Sequence, residues 1–398
     1  LIFQSIDDKN ECVGVYSEGK LYYENFPDDL SRTWKYTGAI SDPHVEFAWL
    51  YAQGLSLREA CPAELVDDLH RAQKRLKAYL KSFSLAKINM RDHCIFDLVP
   101  ADFLKQFCEI KNQITEHVFN TYSRPAHYEH LHEIQKLLYK IKYQNLNLNN
   151  EHCKELYYSS ANRARVLKLL DGPQFIDYNM FGTVTGRLTT NPGSFPMLTV
   201  QKDFRKLIKP NNDWFLSLDY NAAELRCFLA LTDQAQPQED MHDWNVRNIY
   251  HDAEQTPTRQ EAKVRFFAWL YDPYSKDTIS ASHYDKEKLL DTWYDSEYIG
   301  TPHGRQIKVD SRRALNYLLQ STTSDLVLER AVALDKYLEN KKSFISHIVH
   351  DEVVIDLADE DRSLVPEMKE LFSHNKLDKF LVRLTCGKNY HDLKELAL

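Results

Sequence analysis

The chain has 398 residues, 43% apolar and 27% charged, with 58 acidic and 50 basic side chains and a formal charge of −8. These are globular proportions; they exclude a wholly disordered chain and a polybasic histone-like binder, while local patches still decide any contact with nucleic acid. No apolar run approaches the ~18 residues of a membrane span, and Leu1-Ile2-Phe3-Gln4 lacks the charged and apolar regions of a signal peptide. A cytoplasmic chain with no membrane partner is therefore expected, its natural start lying upstream of Leu1 or trimmed. Seven scattered cysteines without Cys-x-x-Cys point to buried thiols in a reducing compartment.

Residues 1–60 read as a small β-rich region. Val13, Val15 and Tyr16, then Leu21-Tyr22-Tyr23, flank Ser17-Glu18-Gly19-Lys20, a pattern that predicts a hairpin. From Pro62 the periodicity becomes helical, with Leu65, Leu69, Ala72, Leu76 and Leu80 at helical spacing. Helical patterning continues through 101–170, broken at Pro125 and at the asparagine-rich stretch 145–150. Basic residues cluster twice: Arg71, Lys74, Arg75, Lys77 and Lys81, then Lys202, Arg205, Lys206 and Lys209. Either cluster alone reads as a solvated helix face.

Three later stretches carry chemistry. Trp214 to Asp219 is a strand-like apolar run ending in an aspartate, after which a helical pattern begins with Leu225, Phe228 and Leu229. Such an aspartate serves either a cation or the N-cap of the helix. Phe344 to Ile355 holds two β-branched runs around His350-Asp351-Glu352, the pattern of a hairpin with acids at its tip. That tip is either an exposed acidic turn or a cation site; with Asp219 it offers three carboxylates to two Mg²⁺ ions, hard cations that prefer oxygen. Arg259, Lys263, Phe267 and Tyr271 lie four apart, so a helix presents two cations and two rings as one stripe. The cations suit a triphosphate and the rings a base, whereas a plain basic-edged helix accounts for the cations alone. Phe266, Trp269 and Leu270 supply a separate apolar face.

In this order the stretches resemble motifs A, B and C of family A DNA polymerases, the bacterial DNA polymerase I type. Asp219 to Arg226 matches Asp-Tyr-x-x-x-Glu-Leu-Arg, Arg259 to Tyr271 matches Arg-x₃-Lys-x₃-Phe-x₃-Tyr, and residues 350–352 are His-Asp-Glu. Thr185-Gly186-Arg187-Leu188, Asp240-Met241-His242 and the segment Arg312 to Gln320 resemble further elements, the last in an abbreviated phage-like form. The match covers roughly residues 135–398.

The resemblance implies a site, position by position. Asp219, Asp351 and the backbone carbonyl of Tyr220 would hold two Mg²⁺ ions, for which Mn²⁺ can substitute, with Glu352 as an acidic helper. His242, Arg259 and Lys263 would bind the dNTP triphosphate, Phe267 and Tyr271 would form the nucleotide pocket, and Glu224 would exclude a ribose 2′-hydroxyl. Arg187, Arg312, Asn316, Gln320 and His350 would contact primer–template DNA. Departures from the family pattern are Asp272 in place of a glycine, a shorter fingers segment between Tyr271 and Arg312, and Thr189 to Pro196 in place of Pro-Asn-Leu-Gln. Tyr143 to Asn150 resembles the segment preceding the thumb insertion, yet Arg187 follows too soon for a full thumb.

The expected architecture is α+β: a polymerase right hand with an antiparallel palm sheet, helical fingers, a reduced helical thumb-like region and a small β-rich N-terminal remnant. The expected divisions are 1–60 for the remnant of an exonuclease, 61–175 for the thumb-like region, 176–230 for the first part of the palm, 231–300 for the fingers and 301–398 for the second part. The expected activity is template-directed DNA synthesis in a replication setting, with primer–template DNA, dNTPs and other replication proteins as partners. Proofreading is not expected: residues 1–125 contain no Asp-x-Glu, and Asp7, Asp8 and Glu11 have the wrong spacing for a nuclease metal site. The alternatives are a single-subunit RNA polymerase or reverse transcriptase with a shared palm, and a non-catalytic DNA-binding relic.

Overall fold

The computed structural model describes residues 46–88, 93, 95–151, 153–251, 256–272 and 274–397, and of the first 45 residues only 2–6, 12–17, 20–22, 25, 27, 32 and 33. The turn residues Glu18 and Gly19, and Asp7, Asp8 and Glu11, lie outside the described residues. The chain forms two compact units, residues 1–139 and 140–398.

In the first unit, strands β1 (Ile2–Ile6), β2 (Cys12–Ser17) and β3 (Lys20–Tyr22) form an antiparallel sheet. β2 and β3 pair with Val15 opposite Tyr22, the hairpin that the sequence predicts. Two short strands, β4 (Arg32–Thr33) and β5 (Glu46–Phe47), pair in parallel. The helices are α1 (Ala48–Tyr51), α2 (Val66–Leu85), α3 (Ile95–Leu98), α4 (Ala101–Thr121) and α5 (Tyr128–Tyr143), the last of which runs past the end of this unit at Tyr139. Phe103, Leu104, Phe107, Ile110, Ile114 and Val118 recur three or four apart on α4 and are buried with Leu69, Ala72 and Phe83 of α2. Each such large side chain contributes about 1.5–3 kcal/mol on full burial. On the outer side of α2, Arg71 pairs with Asp68 and Arg75 lies 4.8 Å over the Phe103 ring, while Lys74, Lys77 and Lys81 are exposed.

The second unit is built on a five-stranded antiparallel sheet. Before it come β6 (Asn147–Leu148), α6 (Ser160–Leu170), β7 (Tyr178–Asn179), β8 (Thr189–Thr190) and β9 (Ile208–Lys209), with β6 paired to β9 and β7 to β8. β10 (Trp214–Tyr220) leads into α7 (Ala223–Leu231), α8 (Met241–Asn248), α9 (Arg259–Tyr271), α10 (Thr278–His283) and α11 (Lys286–Trp293). A hairpin of β11 (Tyr298–Gly300) and β12 (Gln306–Lys308) precedes the long α12 (Ser311–Tyr337), and β13 (Phe344–Val349), β14 (Glu352–Leu357), α13 (Val365–Ser373), β15 (Val382–Gly387) and β16 (Lys394–Glu395) complete the chain. The sheet order is β13-β14-β10-β15-β16, with β10 central. Tyr220 stacks on Phe372 of α13 and donates to its carbonyl at 2.6 Å, so α13 covers one face of the sheet.

Two buried arginines fix the loops around this sheet. Arg226 is fully buried, and its guanidinium donates to the carbonyls of Asn221, Pro237 and Glu239 at 2.7–2.9 Å. It thereby ties the end of β10 to the connection into α8. Arg305 and Asp325 form a buried bidentate pair at 2.7 and 2.8 Å. Gly186, at φ +76, packs so closely on Arg305 that a Cβ there would sit 2.5 Å from the guanidinium carbon. Ser324 donates to the Gly186 carbonyl at 2.9 Å, so the turn before Arg187 is held at its glycine. Among the cysteines with described side chains, Cys61, Cys153, Cys227 and Cys386 are free thiols.

Candidate active site

β10 ends at Tyr220, and Ala222, with φ 54, turns the chain into α7 as its N-cap residue. Asp219 therefore does not cap that helix, which removes one of its two sequence readings. Asp219 stands opposite Glu352 on β14 and opposite Arg383 on β15. Cross-strand partners share a face, so the three side chains lie abreast. Asp351 joins them from the β13–β14 hairpin, whose tip residue His350 has φ 57. Burial, then the negative charges of Asp351 and Glu352, push the Asp219 carboxyl up to about 8; Arg383 and Lys263 oppose that rise. A carboxylate so costly to ionise is relieved by a bound cation.

Glu352 is engaged elsewhere. Its carboxylate accepts from the Ser217 hydroxyl and from the Tyr390 hydroxyl at 2.7 Å. Among the described residues no three His, Cys, Asp or Glu side chains gather as a metal-holding group. Asp219 and Asp351 line the cavity, and Glu352, opposite Asp219 on β14, is hydrogen-bonded beside them.

The stripe on α9 forms as its spacing predicts. Thr258 and Glu261 make a reciprocal capping box that starts the helix at Arg259. Ala262, Phe266, Trp269 and Leu270 are buried on one face, leaving Phe267 and Tyr271 stacked on another, centroids 5.9 Å apart and planes at 20°. Arg259 grips Asp240 bidentately at 3.0 and 2.6 Å. Asp240 also caps α8 through the backbone N–H groups of His242 and Asp243, and accepts from the Asn221 amide at 2.6 Å. Burial opposes its ionisation, but the hydrogen bonds from Arg259, Asp243 and Asn221 outweigh that and hold it well below the usual carboxylate range. His242 is buried, its ring centroid 6.1 Å from that of Phe267, and its Nδ1 has no hydrogen-bond partner among the described residues. Burial depresses it to about 4, so at neutral pH it presents an uncharged imidazole.

Glu224, in the first turn of α7, accepts from the Arg187 guanidinium at 2.6 Å and from the Tyr271 hydroxyl. Burial, and then that carboxylate, keep the Tyr271 phenol protonated far above its ordinary range. This contact links the turn after Gly186, the helix after β10 and the C-terminal end of α9.

A cavity of about 940 Å³ collects most of these groups. Asp219, Tyr220, Asp351, Glu224, Arg187, His350, His242, Arg259, Lys263 and Phe267 all line it. Tyr271 and Glu352 do not line it but bond or stack to residues that do. Arg312, Asn316 and Gln320 lie outside it on the first three turns of α12; Arg312 is exposed, and the buried Asn316 Oδ1 lacks a partner among the described residues. Sequence reasoning missed Asp240 as the acceptor of Arg259, and it missed Lys369 and Arg383, which also line the cavity. Arg383 reaches the cavity because β15 pairs with β10, a pairing between segments more than 160 residues apart.

No protein-family model matches the chain, and no curated protein matches its sequence. Among solved structures it is similar to the POL domain of Pol1 from M. smegmatis in complex with DNA primer-template and dNTP. The TM-score is 0.61 at 12% identity, over 87% of this chain and 82% of that one. The chain thus has the fold of that domain.

Proposed function

We propose that the protein is a DNA-directed DNA polymerase that extends a primer 3′ end with dNTPs. The observation that carries this reading is the single cavity shared by Asp219, Asp351, His242, Arg259, Lys263 and Phe267. These residues carry the resemblance to the family A motifs, and the chain has the fold of a polymerase domain. The five-stranded sheet then serves as the palm, the helices α8 to α11 as the fingers, and the helical stretch 61–175 as a reduced thumb.

The primer 3′-oxygen bonds to the α-phosphorus while the α–β phosphoanhydride bond breaks, and pyrophosphate leaves with its electron pair; the hydroxyl proton passes to solvent. Asp219, Asp351 and the Tyr220 carbonyl would hold divalent cations, and their oxygen-only chemistry fits Mg²⁺ or Mn²⁺. When bound, such ions lower the pKa of the attacking hydroxyl and neutralise charge on the leaving group. Lys263 and Arg259 attract the triphosphate, and the neutral His242 donates a hydrogen bond to it. Phe267 and Tyr271 give a stacked apolar wall for the new base pair. Glu224, fixed between Arg187 and Tyr271, fills the space where a 2′-hydroxyl would sit. Arg187, His350, Arg312, Asn316 and Gln320 contact the duplex. The exposed lysines of α2 hold its backbone.

Primer extension with a labelled primer–template tests the reading. Extension that needs a divalent cation, prefers dNTPs to NTPs and is lost in Asp351→Asn is expected. Absence of extension with any nucleotide, despite DNA binding, would instead support a non-catalytic relic. A 3′-mismatched primer left unshortened without dNTPs is the matching expectation for a chain that does not proofread.

A further inference from the structure

Five cations line the cavity, and they are not equally committed. Arg187 is held by Glu224, and Arg259 is held bidentately by Asp240. Lys263 and Lys369 make no ion pair among the described residues. Among the described residues Arg383 forms an ion pair with Glu395 of β16 at 3.6 Å, with its side chain 59% exposed, and its charge also acts on Asp219. α9 therefore offers one uncommitted cation to a triphosphate that carries three to four negative charges.

Position separates the remaining two from the expected DNA contacts. Arg187 and His350 meet around a small cleft with Leu188, Ser324, Leu328 and Ile348, on the β13 side of the sheet. Arg383 stands on the opposite side of Asp219, directly across from it on β15. Lys369 enters from α13, whose neighbouring residues Met368 and Phe372 are buried. An arginine fork and a lysine point charge lining one cavity suit the clustered oxygens of a polyphosphate.

We propose that Lys369 and Arg383 form a second phosphate-binding arm of the cavity, which takes the polyphosphate of the incoming nucleotide and the pyrophosphate that leaves. The proposal rests on the polymerase reading. It adds a positioning role for two residues that belong to none of the recognised motifs. Glu395 acts as a weak resting partner that Arg383 leaves when phosphate arrives.

The test uses the full chain with Lys369→Gln, Arg383→Gln, the two combined, and Arg383→Lys. Arg383 is exposed and Lys369 half-buried, so melting temperatures check that each variant keeps the fold. Calorimetric titration with inorganic tripolyphosphate reads binding without chemistry. The double variant should bind at least about tenfold more weakly, a loss on the scale of one charge-assisted contact, and Arg383→Lys should retain most of the affinity. In primer extension the double variant should raise the dNTP KM and weaken inhibition by pyrophosphate by similar factors. Its primer–template Kd should stay within about twofold of wild type. Weakened primer–template binding with an unchanged dNTP KM would assign both cations to the DNA backbone and overturn the proposal. Unchanged tripolyphosphate binding would overturn it as well. A wild-type protein that never extends a primer would defeat the polymerase reading, while the tripolyphosphate titration would still decide whether the arm binds phosphate.

Discussion

Replacing Asp219 by Asn should make the metal-free protein more stable, and increasingly so as pH rises. The Asp219 carboxyl is raised from 3.8 to about 8 by burial and by Asp351 and Glu352. Between those two values the unfolded chain has released its proton and the folded chain has not. Stability is therefore complete below the unfolded value and falls by about 1.4 kcal/mol per pH unit until the folded value is reached. The ceiling on this loss is about 5 kcal/mol at pH 8, against less than about 2 kcal/mol at pH 5. An amide carries no such charge, so the advantage of Asp219→Asn should widen by up to about 3–4 kcal/mol between pH 5 and pH 8. Urea unfolding of both proteins with a chelator present, at intervals across that range, reads the difference and cancels the other titrating groups. Adding Mg²⁺ should then stabilise the wild type selectively, because a ligand that binds the native state alone shifts its unfolding. Stability curves that run parallel over the whole pH range would refute the reasoning, since Asp219 would then titrate as an ordinary carboxylate.

Glu224→Ala removes the acceptor shared by Arg187 and Tyr271, and it should raise ribonucleotide incorporation relative to dNTP by at least about tenfold, read by single-nucleotide extension. Gly186→Ala forces a Cβ against Arg305 at a left-handed backbone position and should cost at least about 1–3 kcal/mol, measured by urea unfolding with Gly193→Ala, whose Cβ meets open space, as the comparison. Arg226→Ala strands three carbonyls inside the protein, a loss of about 3 kcal/mol or more in the same assay. Neutralising Lys74, Lys77 and Lys81 together should flatten the dependence of log affinity for primer–template on log salt by about two to three units, and an unchanged slope would make them an ordinary solvated face.

What the sequence disclosed was local. The α9 stripe and its separate apolar face follow from a 3.6-residue repeat, and the acid at the end of β10 follows from an apolar run that stops. What it hid was pairing over distance. Glu352 reads as a third cavity acid until Tyr390, across the sheet, is found to take its proton-accepting oxygen. Arg383 is an unremarkable strand residue until β15 lies against β10. The basic run 202–209 looks like one exposed patch, yet Lys206 pairs with Glu155 and Arg205 covers the Tyr390 ring. Asp240 gives no sign in the sequence that Arg259 will be its partner, because the loop that brings them together is set by the buried Arg226.

The grip of Asp240 on Arg259 sets up a competition. One carboxylate caps α8, holds Asn221 and occupies the guanidinium that a triphosphate would use. A nucleotide that takes Arg259 must displace this pair, so its apparent affinity is lower than the contact itself would give. By reciprocity, whatever loosens the hold of Asp240 tightens the nucleotide, and nucleotide bound at Arg259 loosens the tie between α8 and α9. On the proposed reading, the first arginine of α9 would pass between an internal anion and an external one, and loading of the cavity would be felt by the helix that carries His242. Asp240→Asn, which keeps a capping oxygen but drops the charge, should shift that switch toward the nucleotide, seen as a lower dNTP KM; a KM that rises would show that Asp240 helps hold Arg259 in place for the phosphate.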